Sequence, residues 1–224
     1  MKFERLWTGN WENALRGMRH PLESYDKSDS TFDAMGNIVA FGENDMKLAQ
    51  KLIAAGEPND KFLRQIFVSI DITAPEYFWG QADTYKVGTV ANSTSKMHKL
   101  ATTPITIDCF ETDDYDPELT IHGFEEFGDA PMKWYIEDNI KFLEYLRTRY
   151  LDTKDMRYWK ELVRWLPESW LQTRTWTANY AVLRHIYPWR KNHKLSEWTS
   201  FCEFICTNVP YAKELICYHN GKEE

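Results

Sequence analysis

The alternation of hydrophobic and polar residues predicts a buried strand in the first half of the chain. The sequence "RQIFVSIDITAP" puts four β-branched residues on one face, because successive side chains of a strand point to opposite faces: Ile66, Val68, Ile70 and Ile72. Pro75 is expected to end this strand, since proline cannot donate to a sheet hydrogen bond. A second strand is predicted in "TPITIDCF", residues 103–110.

Apolar residues at helical spacing predict a helix over residues 44–55, in "FGENDMKLAQKLIAAGEPND". Asn44 or Asp45 is the expected N-cap, and Gly56 is the expected stop. Beyond Pro131 the pattern predicts five more helices, at about 132–150, 154–166, 170–187, 193–207 and 210–218. Pro167 and Pro210 fall near the joints between them, as helix breakers do.

These elements predict an α+β fold, in which a small antiparallel or mixed sheet from the N-terminal half packs with a helix-rich C-terminal half. The chain shows no internal repeat and no shift in composition, so we expect a single domain over residues 1–224. The acidic segment "DCFETDDYDPELTIHGFEEFGD", residues 108–129, lacks the residue order of a calcium loop. It is predicted to be a solvated, partly irregular connection.

Composition is that of a globular protein, with 43% hydrophobic and 27% charged residues. Aromatic residues reach 15% and include ten tryptophans, which supply a core and stacking surfaces for a planar ligand. A net charge of −7 argues against a broad nucleic-acid surface. No apolar run approaches ~18 residues, and the N-terminus lacks a signal-like apolar region. We therefore expect a cytoplasmic protein with neither nucleic-acid nor membrane partners.

The four cysteines admit a zinc hypothesis, in which three of them join a histidine as ligands: Cys202, Cys206, Cys217 and His219. The spacing lacks a Cys-x-x-Cys knuckle, and free cysteine is a common small core residue. We therefore predict no metal site, and buried thiols rather than disulfides, as a reducing compartment would favour.

The segment "WTANYAVLRHIYPWR", residues 176–190, places polar groups among bulky apolar ones. At ~100° per residue, Asn179 and Arg190 fall on nearly one line of an ideal helix, whereas His185 lies well off it. Pro188 predicts a kink or a fresh helix start. Asn179 could cap the backbone while Arg190 extends from an aromatic surface, or both could line a pocket for a polar planar ligand. Spacing alone leaves both readings open.

The longer segment "LVRWLPESWLQTRTWTANYAVLRHIYPWR" resembles the C-terminal half of the flavin-dependent thymidylate synthases. Those proteins carry a Leu-Pro, a Trp-Thr-x-Asn and a terminal arginine, and the matching residues here are Pro167, Trp176, Thr177, Asn179 and Arg190. Upstream, "IFVSIDITAPEYFWGQADTYKVGTVANSTSKMHKL" is similar to the family's strand, its Ala-Pro, its glutamine and its signature motif. "STFDAMG" is similar to its N-terminal region, so the resemblance is colinear over about residues 28–210.

The resemblance implies reductive methylation of dUMP, with the carbon from methylenetetrahydrofolate and hydride from FAD reduced by NADPH. It implies a homo-oligomer, a tetramer in the family. Arg190 is the implied catalytic residue, stabilising negative charge on the pyrimidine carbonyls. The implied cofactor-binding residues are Asn179, His185, Tyr85, Lys86 and Thr31. The implied substrate-binding residues are Gln81, Asn92, Thr94, Ser95, Lys96 and Arg164.

The chain departs from the family signature, Arg-His-Arg-x2-Ser-x-Asn-Glu-x-Ser-x-Arg, at its beginning and at its end. Its beginning reads Thr84, Tyr85, Lys86. A gapless register then sets Asn92, Thr94 and Lys96 against the family's glutamate, second serine and last arginine. A one-residue insertion instead aligns Asn92 and Ser95 with the asparagine and second serine, but puts Met97 at the arginine. We prefer the gapless register because it keeps a cation for the nucleotide phosphate.

Three further positions differ from the family. The arginine before Leu-Pro is Val163 here, with Arg164 beside it, and His185 replaces an asparagine that contacts flavin. The His-Glu-x-Pro-Phe-x-His segment is reduced to "EPNDKFLRQ". Three functions follow from these departures: a divergent thymidylate synthase, a pyrimidine-nucleotide-binding or regulatory homologue without flavin chemistry, or a scaffold that keeps only the fold.

Overall fold

The computed structural model describes residues 1–124 and 128–218. Nine α-helices occur in this part of the chain: α1 (Trp11–Arg19), α2 (Glu43–Ala55), α3 (Glu76–Ala82), α4 (Lys96–Lys99), α5 (Met132–Thr153), α6 (Met156–Trp165), α7 (Tyr180–Arg190), α8 (Ser196–Asn208) and α9 (Ala212–Leu215). Eight strands accompany them: β1 (Lys2–Gly9), β2 (Thr31–Phe32), β3 (Ile38–Ala40), β4 (Phe67–Pro75), β5 (Val90–Ser93), β6 (Thr120–Phe124), β7 (Gly128–Pro131) and β8 (Leu171–Asn179).

The α+β class is confirmed, with a four-stranded sheet in the order β1-β4-β8-β5 and the antiparallel pairs β2–β3 and β6–β7. Strand β4 ends at Pro75, as predicted. The four residues predicted for its buried face are at most 1% exposed, although Ile66 lies just before the strand. Helix α2 is also confirmed, together with its stop at Gly56. Its N-cap is Gly42, however, because the Asp45 side chain is buried in an ion pair and cannot serve as the cap.

The helix predicted over 170–187 is wrong in its first half, where the chain forms β8. Hydroxyl groups on alternate residues of β8 hydrogen-bond to β4: Thr177 to Ser69, Thr175 to Asp71, and Thr173 to Thr73. Because residue numbers fall along β8 as those of the partner residues rise along β4, the two strands run antiparallel. The sheet therefore draws its second central strand from the C-terminal half, contrary to the expectation that it lies in the N-terminal half.

The segment 103–110 is not a strand. It contains a single 3-10 turn over Ile107–Cys109, and Phe110 makes only an isolated antiparallel bridge with Trp170. The acidic segment after it is largely exposed, as expected, although it also contains the β6–β7 hairpin. Helix α7 begins after Asn179 and continues through Pro188 to Arg190, so the helix does not restart at this proline.

The chain forms two compact units, each assembled from separate stretches of sequence. The first unit comprises residues 1, 73–80 and 93–173, and its core is built from Leu100, Ile105, Phe110, Leu143, Leu146, Leu162 and Trp170. The second unit comprises residues 2–72, 81–92 and the described residues from 174 onward. Rings of Trp11, Tyr180 and Tyr211 meet edge to face in it, with 5.1 Å between the centroids of Trp11 and Tyr180. Whether these units act as one domain, as the sequence suggests, stays a prediction.

Two of the four cysteines are joined in a disulfide, Cys206–Cys217, whose Cα atoms lie 6.6 Å apart. The expectation of reduced cysteines is therefore wrong for this pair, because the fold brings α8 and the residues after α9 together. The bond also occupies two sulfurs of the zinc hypothesis, and His219 lies outside the described residues. Cys109 and Cys202 are free thiols. Across 1–124 and 128–218, the helices are all too short or too polar to cross a bilayer.

A buried ion pair anchors the N-terminal loop of the second unit. Arg19 Nε donates to Asp45 Oδ1 at 2.6 Å, and both side chains are at most 4% exposed. The other carboxylate oxygen accepts from Ser28 Oγ and from the backbone of Asp29 and Ser30. Burial pushes the pKa of Asp45 upward, but the hydrogen bonds from Ser30, Arg19 and Ser28 lower the pKa below its ordinary value.

We expect Asp45→Asn to destabilise the protein by about 3–5 kcal/mol, because it leaves the Arg19 charge buried without a counterion. Urea unfolding at pH 7 measures the difference. Asp26→Asn is the matched control, since Asp26 is exposed in the same loop, and it should change stability by less than about 0.5 kcal/mol.

The effect of Asp45→Asn also depends on pH in a defined direction. Because the folded-state pKa of Asp45 is lowered, its stabilising contribution is present above the unfolded pKa of about 3.9 and is lost as pH falls through the folded value. The stability gap between the wild type and Asp45→Asn should therefore shrink below about pH 4. A gap that widens in acid would contradict the assignment.

The free thiols should differ sharply in reactivity. Burial raises the pKa of Cys202 to about 12, and its side chain is 3% exposed, so little thiolate forms and no reagent reaches it. A disulfide reagent at pH 8 should label only Cys109 in the folded protein, and two thiols after denaturation without reductant. Cys109→Ser should abolish labelling of the folded form, whereas four thiols after denaturation would show that Cys206 and Cys217 are reduced.

Candidate active site

A cavity of about 490 Å³ lies in the second unit. Three stretches line it: the segment after α2, the segment after α3, and the N-terminus of α7. The lining residues that bear charge, rings or amides are Glu57, Arg64, Tyr85, Lys86, Asn179 and His185. Four of the five predicted cofactor-binding residues therefore lie together in one cavity, although they are far apart in sequence.

Asn179 holds a fixed orientation at the wall of this cavity. Its Oδ1 accepts from Val182 N at 3.0 Å and so caps α7, as one of the two readings of the sequence expected. Its Nδ2 is thereby left to donate to a ligand. Gly88 lies against this amide at φ +77°, and a Cβ on Gly88 would come within 2.9 Å of Nδ2. Glycine is therefore favoured at position 88 for two reasons: its φ is positive, and the Asn179 amide lies too close for a side chain.

The cavity is suited to an anion. Arg64 and Lys86 line it, and the N-terminus of α7, an 11-residue helix, opens at its wall through Asn179 and Val182. Helix N-termini carry partial positive charge and unpaired N–H groups, so they favour phosphate. Arg64 also forms an ion pair with Glu57, which offsets part of its charge.

Arg190 is held by hydrogen bonds and by rings at the other end of α7. Its Nε donates to Tyr85 Oη at 2.9 Å, and its Nη1 donates to Gln81 Oε1 at 3.0 Å. The guanidinium carbon lies 4.4 Å from the Trp198 ring centroid and 5.5 Å from that of Tyr85. Tyr85 also lines the cavity, so one ring joins the cavity to the guanidinium.

Trp198 was not anticipated from the sequence. Its Nε1 donates to Gln81 Oε1 at 2.9 Å, and its side chain is 1% exposed. The available signal was general: a buried tryptophan requires an acceptor for its N–H. Sequence reasoning could not identify that acceptor, because Gln81 precedes Trp198 by more than a hundred residues.

The charge of Arg190 influences its titratable neighbours. Burial raises the pKa of Cys202, and Arg190 opposes that rise. Burial lowers the pKa of His193, and Arg190 lowers it further. Arg190 therefore acts to lower the pKa of both groups, as a nearby positive charge does.

Four predicted substrate-binding residues lie in the first unit, where each of them already has a structural partner. The Thr94 backbone N–H donates to the Thr173 carbonyl, and the Thr94 carbonyl accepts from the Gln172 side-chain amide. Ser95 Oγ caps α4 by accepting from His98 N. Lys96 Nζ lies 3.1 Å from Glu76 Oε1, so the cation proposed for phosphate has a carboxylate partner. Arg164, the fourth, forms an exposed ion pair with Glu161.

Thr31 and Asn92 are both exposed, on β2 and β5, and neither lines the cavity. Within the second unit, the structure thus joins Gln81, Tyr85 and Arg190 and leaves these two residues outside both the cavity and the Arg190 contacts. Their binding roles, like those of the residues in the first unit, stay predictions.

The sequence matches no protein-family model and no curated protein. Solved structures do match. A flavin-dependent thymidylate synthase, ThyX from Helicobacter pylori complexed with FAD and dUMP, matches with a TM-score of 0.65 at 13% identity, over 96% of this chain and 98% of that chain. The UMP/dUMP methylase PolB from Streptomyces cacaoi, bound with 5-Br dUMP, matches with a TM-score of 0.62 at 15% identity, over 95% and 90% of the two chains. The chain therefore has the fold of the flavin-dependent thymidylate synthases.

Proposed function

We propose that this protein methylates a pyrimidine nucleotide, dUMP, with carbon from methylenetetrahydrofolate and with FAD, reduced by NADPH, as the cofactor. One observation carries the proposal: Tyr85 lines the cationic cavity and also binds Arg190, so a cofactor site and a charge-stabilising group meet at one residue. The two similar structures, one holding FAD and dUMP and the other a dUMP analogue, support the same assignment.

The residues of the cavity fit a flavin nucleotide. Lys86, Arg64 and the α7 N-terminus suit its phosphates. Tyr85 and His185 offer rings, whose centroids are 6.3 Å apart at 75°, for contact with a planar system. Asn179 offers an amide donor, and Gly88 keeps the space beside that amide open. When bound, the flavin supplies the hydride that reduces the transferred carbon.

Arg190 provides the electrostatic part of the chemistry. Carbon 5 of a uracil ring attacks the carbon donor as a nucleophile, and the negative charge of that reactive form is shared between carbon 5 and the oxygen on carbon 4. A guanidinium stacked on Trp198 and partly withdrawn from water stabilises that charge more than a hydrated one does. Tyr85 and Gln81 hold the group in place before reaction, so little reorganisation is needed.

Self-association is part of the proposal. The resemblance to the thymidylate synthase family implies sites shared between subunits, which would give Thr94, Ser95, Lys96 and Arg164 a role that a single chain does not reveal. We expect a homotetramer, with light scattering as the measurement. A cytoplasmic location likewise stays a prediction.

A second function is favoured by one contact. Lys96 is paired with Glu76, and the signature's two arginines and histidine are replaced by Thr84, Tyr85 and Lys86. These changes suit a homologue that binds a pyrimidine nucleotide without flavin turnover. Flavin binding separates the two functions.

We expect FAD to bind the purified protein and Gly88→Ala to weaken that binding by about tenfold, because the new Cβ crowds the Asn179 amide at 2.9 Å. Flavin fluorescence titration measures the affinity. Gly128→Ala is the matched control: Gly128 also has a positive φ, +67°, but among the described residues beyond its chain neighbours no atom lies within 4 Å of the Cβ position.

Both glycine variants should lose about 1–2 kcal/mol of stability, the cost of a side chain in a left-handed conformation. Only Gly88→Ala should lose flavin affinity. A wild-type protein that ignores FAD at tens of micromolar would exclude the enzyme and leave the nucleotide-binding homologue.

We expect Arg190→Ala to reduce dUMP-dependent turnover by on the order of 10²-fold or more, the usual effect of removing an electrostatic donor. Arg190→Lys should recover only part of this loss, because one ammonium cannot stack flat on Trp198 while bonding Tyr85 and Gln81. Tritium release from labelled dUMP is the measurement. Lys194→Ala, an exposed cation near α7, is the control and should stay near wild type. Retained turnover with lost thermal stability would make Arg190 a structural cation.

A further inference from the structure

The side-chain amide of Gln81 is fixed in one orientation by its two partners. Gln81 Oε1 accepts from Arg190 Nη1 at 3.0 Å and from Trp198 Nε1 at 2.9 Å. Guanidinium and indole nitrogens donate and never accept. Turning the amide would break two hydrogen bonds and set the Gln81 NH2 group against two donors. The oxygen must therefore face Arg190 and Trp198.

The same arrangement decides what the site offers to a ligand. With Oε1 occupied, Gln81 presents Nε2, a donor. Arg190 uses Nε for Tyr85 and Nη1 for Gln81, and so presents Nη2, also a donor. Within residues 1–124 and 128–218, no group forms a hydrogen bond with either nitrogen. Neither nitrogen is fully buried, so both are open to a ligand. This pair therefore presents donors alone.

We infer that Trp198 is a positioning residue which sets base specificity, by holding the Gln81 amide as a donor toward the 4-position of the pyrimidine. The inference rests on the proposed function. Charge that develops from carbon 5 reaches the oxygen on carbon 4, so the donors must face that position. Uracil carries a carbonyl acceptor there, whereas cytosine carries an amino donor. When the Gln81 amide donor faces the amino group of cytosine, neither donor finds an acceptor. The site therefore accepts uracil nucleotides and rejects cytosine nucleotides.

Two substitutions change this arrangement in different ways. Trp198→Phe keeps a ring under the guanidinium but removes the indole N–H, so turning the amide costs one hydrogen bond instead of two. Gln81→Glu keeps the contacts to Arg190 and Trp198 but replaces the presented donor with an acceptor. Trp11→Phe is the matched control, because Trp11 is 0% exposed and its N–H donates to Thr8, away from Gln81.

The experiment is calorimetric titration of dUMP and dCMP into the full-length wild type and the three variants. The wild type and Trp11→Phe should prefer dUMP by about tenfold or more, the scale for an unsatisfied donor. Trp198→Phe should reduce this preference severalfold, and Gln81→Glu should reverse it. If Trp198→Phe does not fold, the reversal in Gln81→Glu decides the question.

Failure of the inference and failure of the proposed function give different results. A wild type that binds neither nucleotide overturns both. A wild type that binds dUMP and dCMP equally overturns the inference alone. So does a dUMP preference that persists unchanged in Gln81→Glu, or in a folded Trp198→Phe.

Discussion

The antiparallel pairing of β4 with β8 is the constraint on which the candidate site depends. In the second unit, Ser69 meets Thr177 at 2.9 Å and Asp71 meets Thr175 at 2.5 Å, and these polar contacts fix one register. A slip by one residue would turn every side chain to the opposite face. Strand β8 ends at Asn179, which caps α7, so the register also sets where that helix begins. Arg190 lies three turns further along the same helix, and its position follows.

Arg190 lies among bulky apolar residues because aromatic rings can hold a guanidinium without neutralising it. A carboxylate partner would offset the charge, whereas Trp198 and Tyr85 contact its faces and Gln81 and Tyr85 accept its hydrogens. The charge stays available to a ligand. Tyr85 also lines the cavity, so a ligand that moves this ring alters the support of Arg190. Occupancy of the cavity and the support of Arg190 are thereby coupled through one side chain.

Local and overall electrostatics have opposite signs in this protein. The chain carries a net charge of −7, yet Arg64, Lys86 and the start of α7 make the cavity suited to an anion. Salt screens exposed charges beyond about 8–10 Å, so the distant acidic residues do little to the cavity. The attraction of this cavity for an anion thus depends on groups within the second unit rather than on the net charge of the whole chain.

The sequence by itself determined the elements whose side-chain pattern is local: β4, α2, α5, α6 and α8, together with the α+β class. The resemblance also selected Asn179, Tyr85, Lys86, Gln81 and Arg190, which the structure gathers into the cavity and the guanidinium contacts. The tertiary structure alone decided β8, because its threonines form a strand only when β4 accepts them, against a helical pattern in the sequence. It alone decided the Cys206–Cys217 bond and the Trp198–Gln81 contact. Pairings between distant residues leave no periodic trace in either segment, so sequence reasoning cannot recover them.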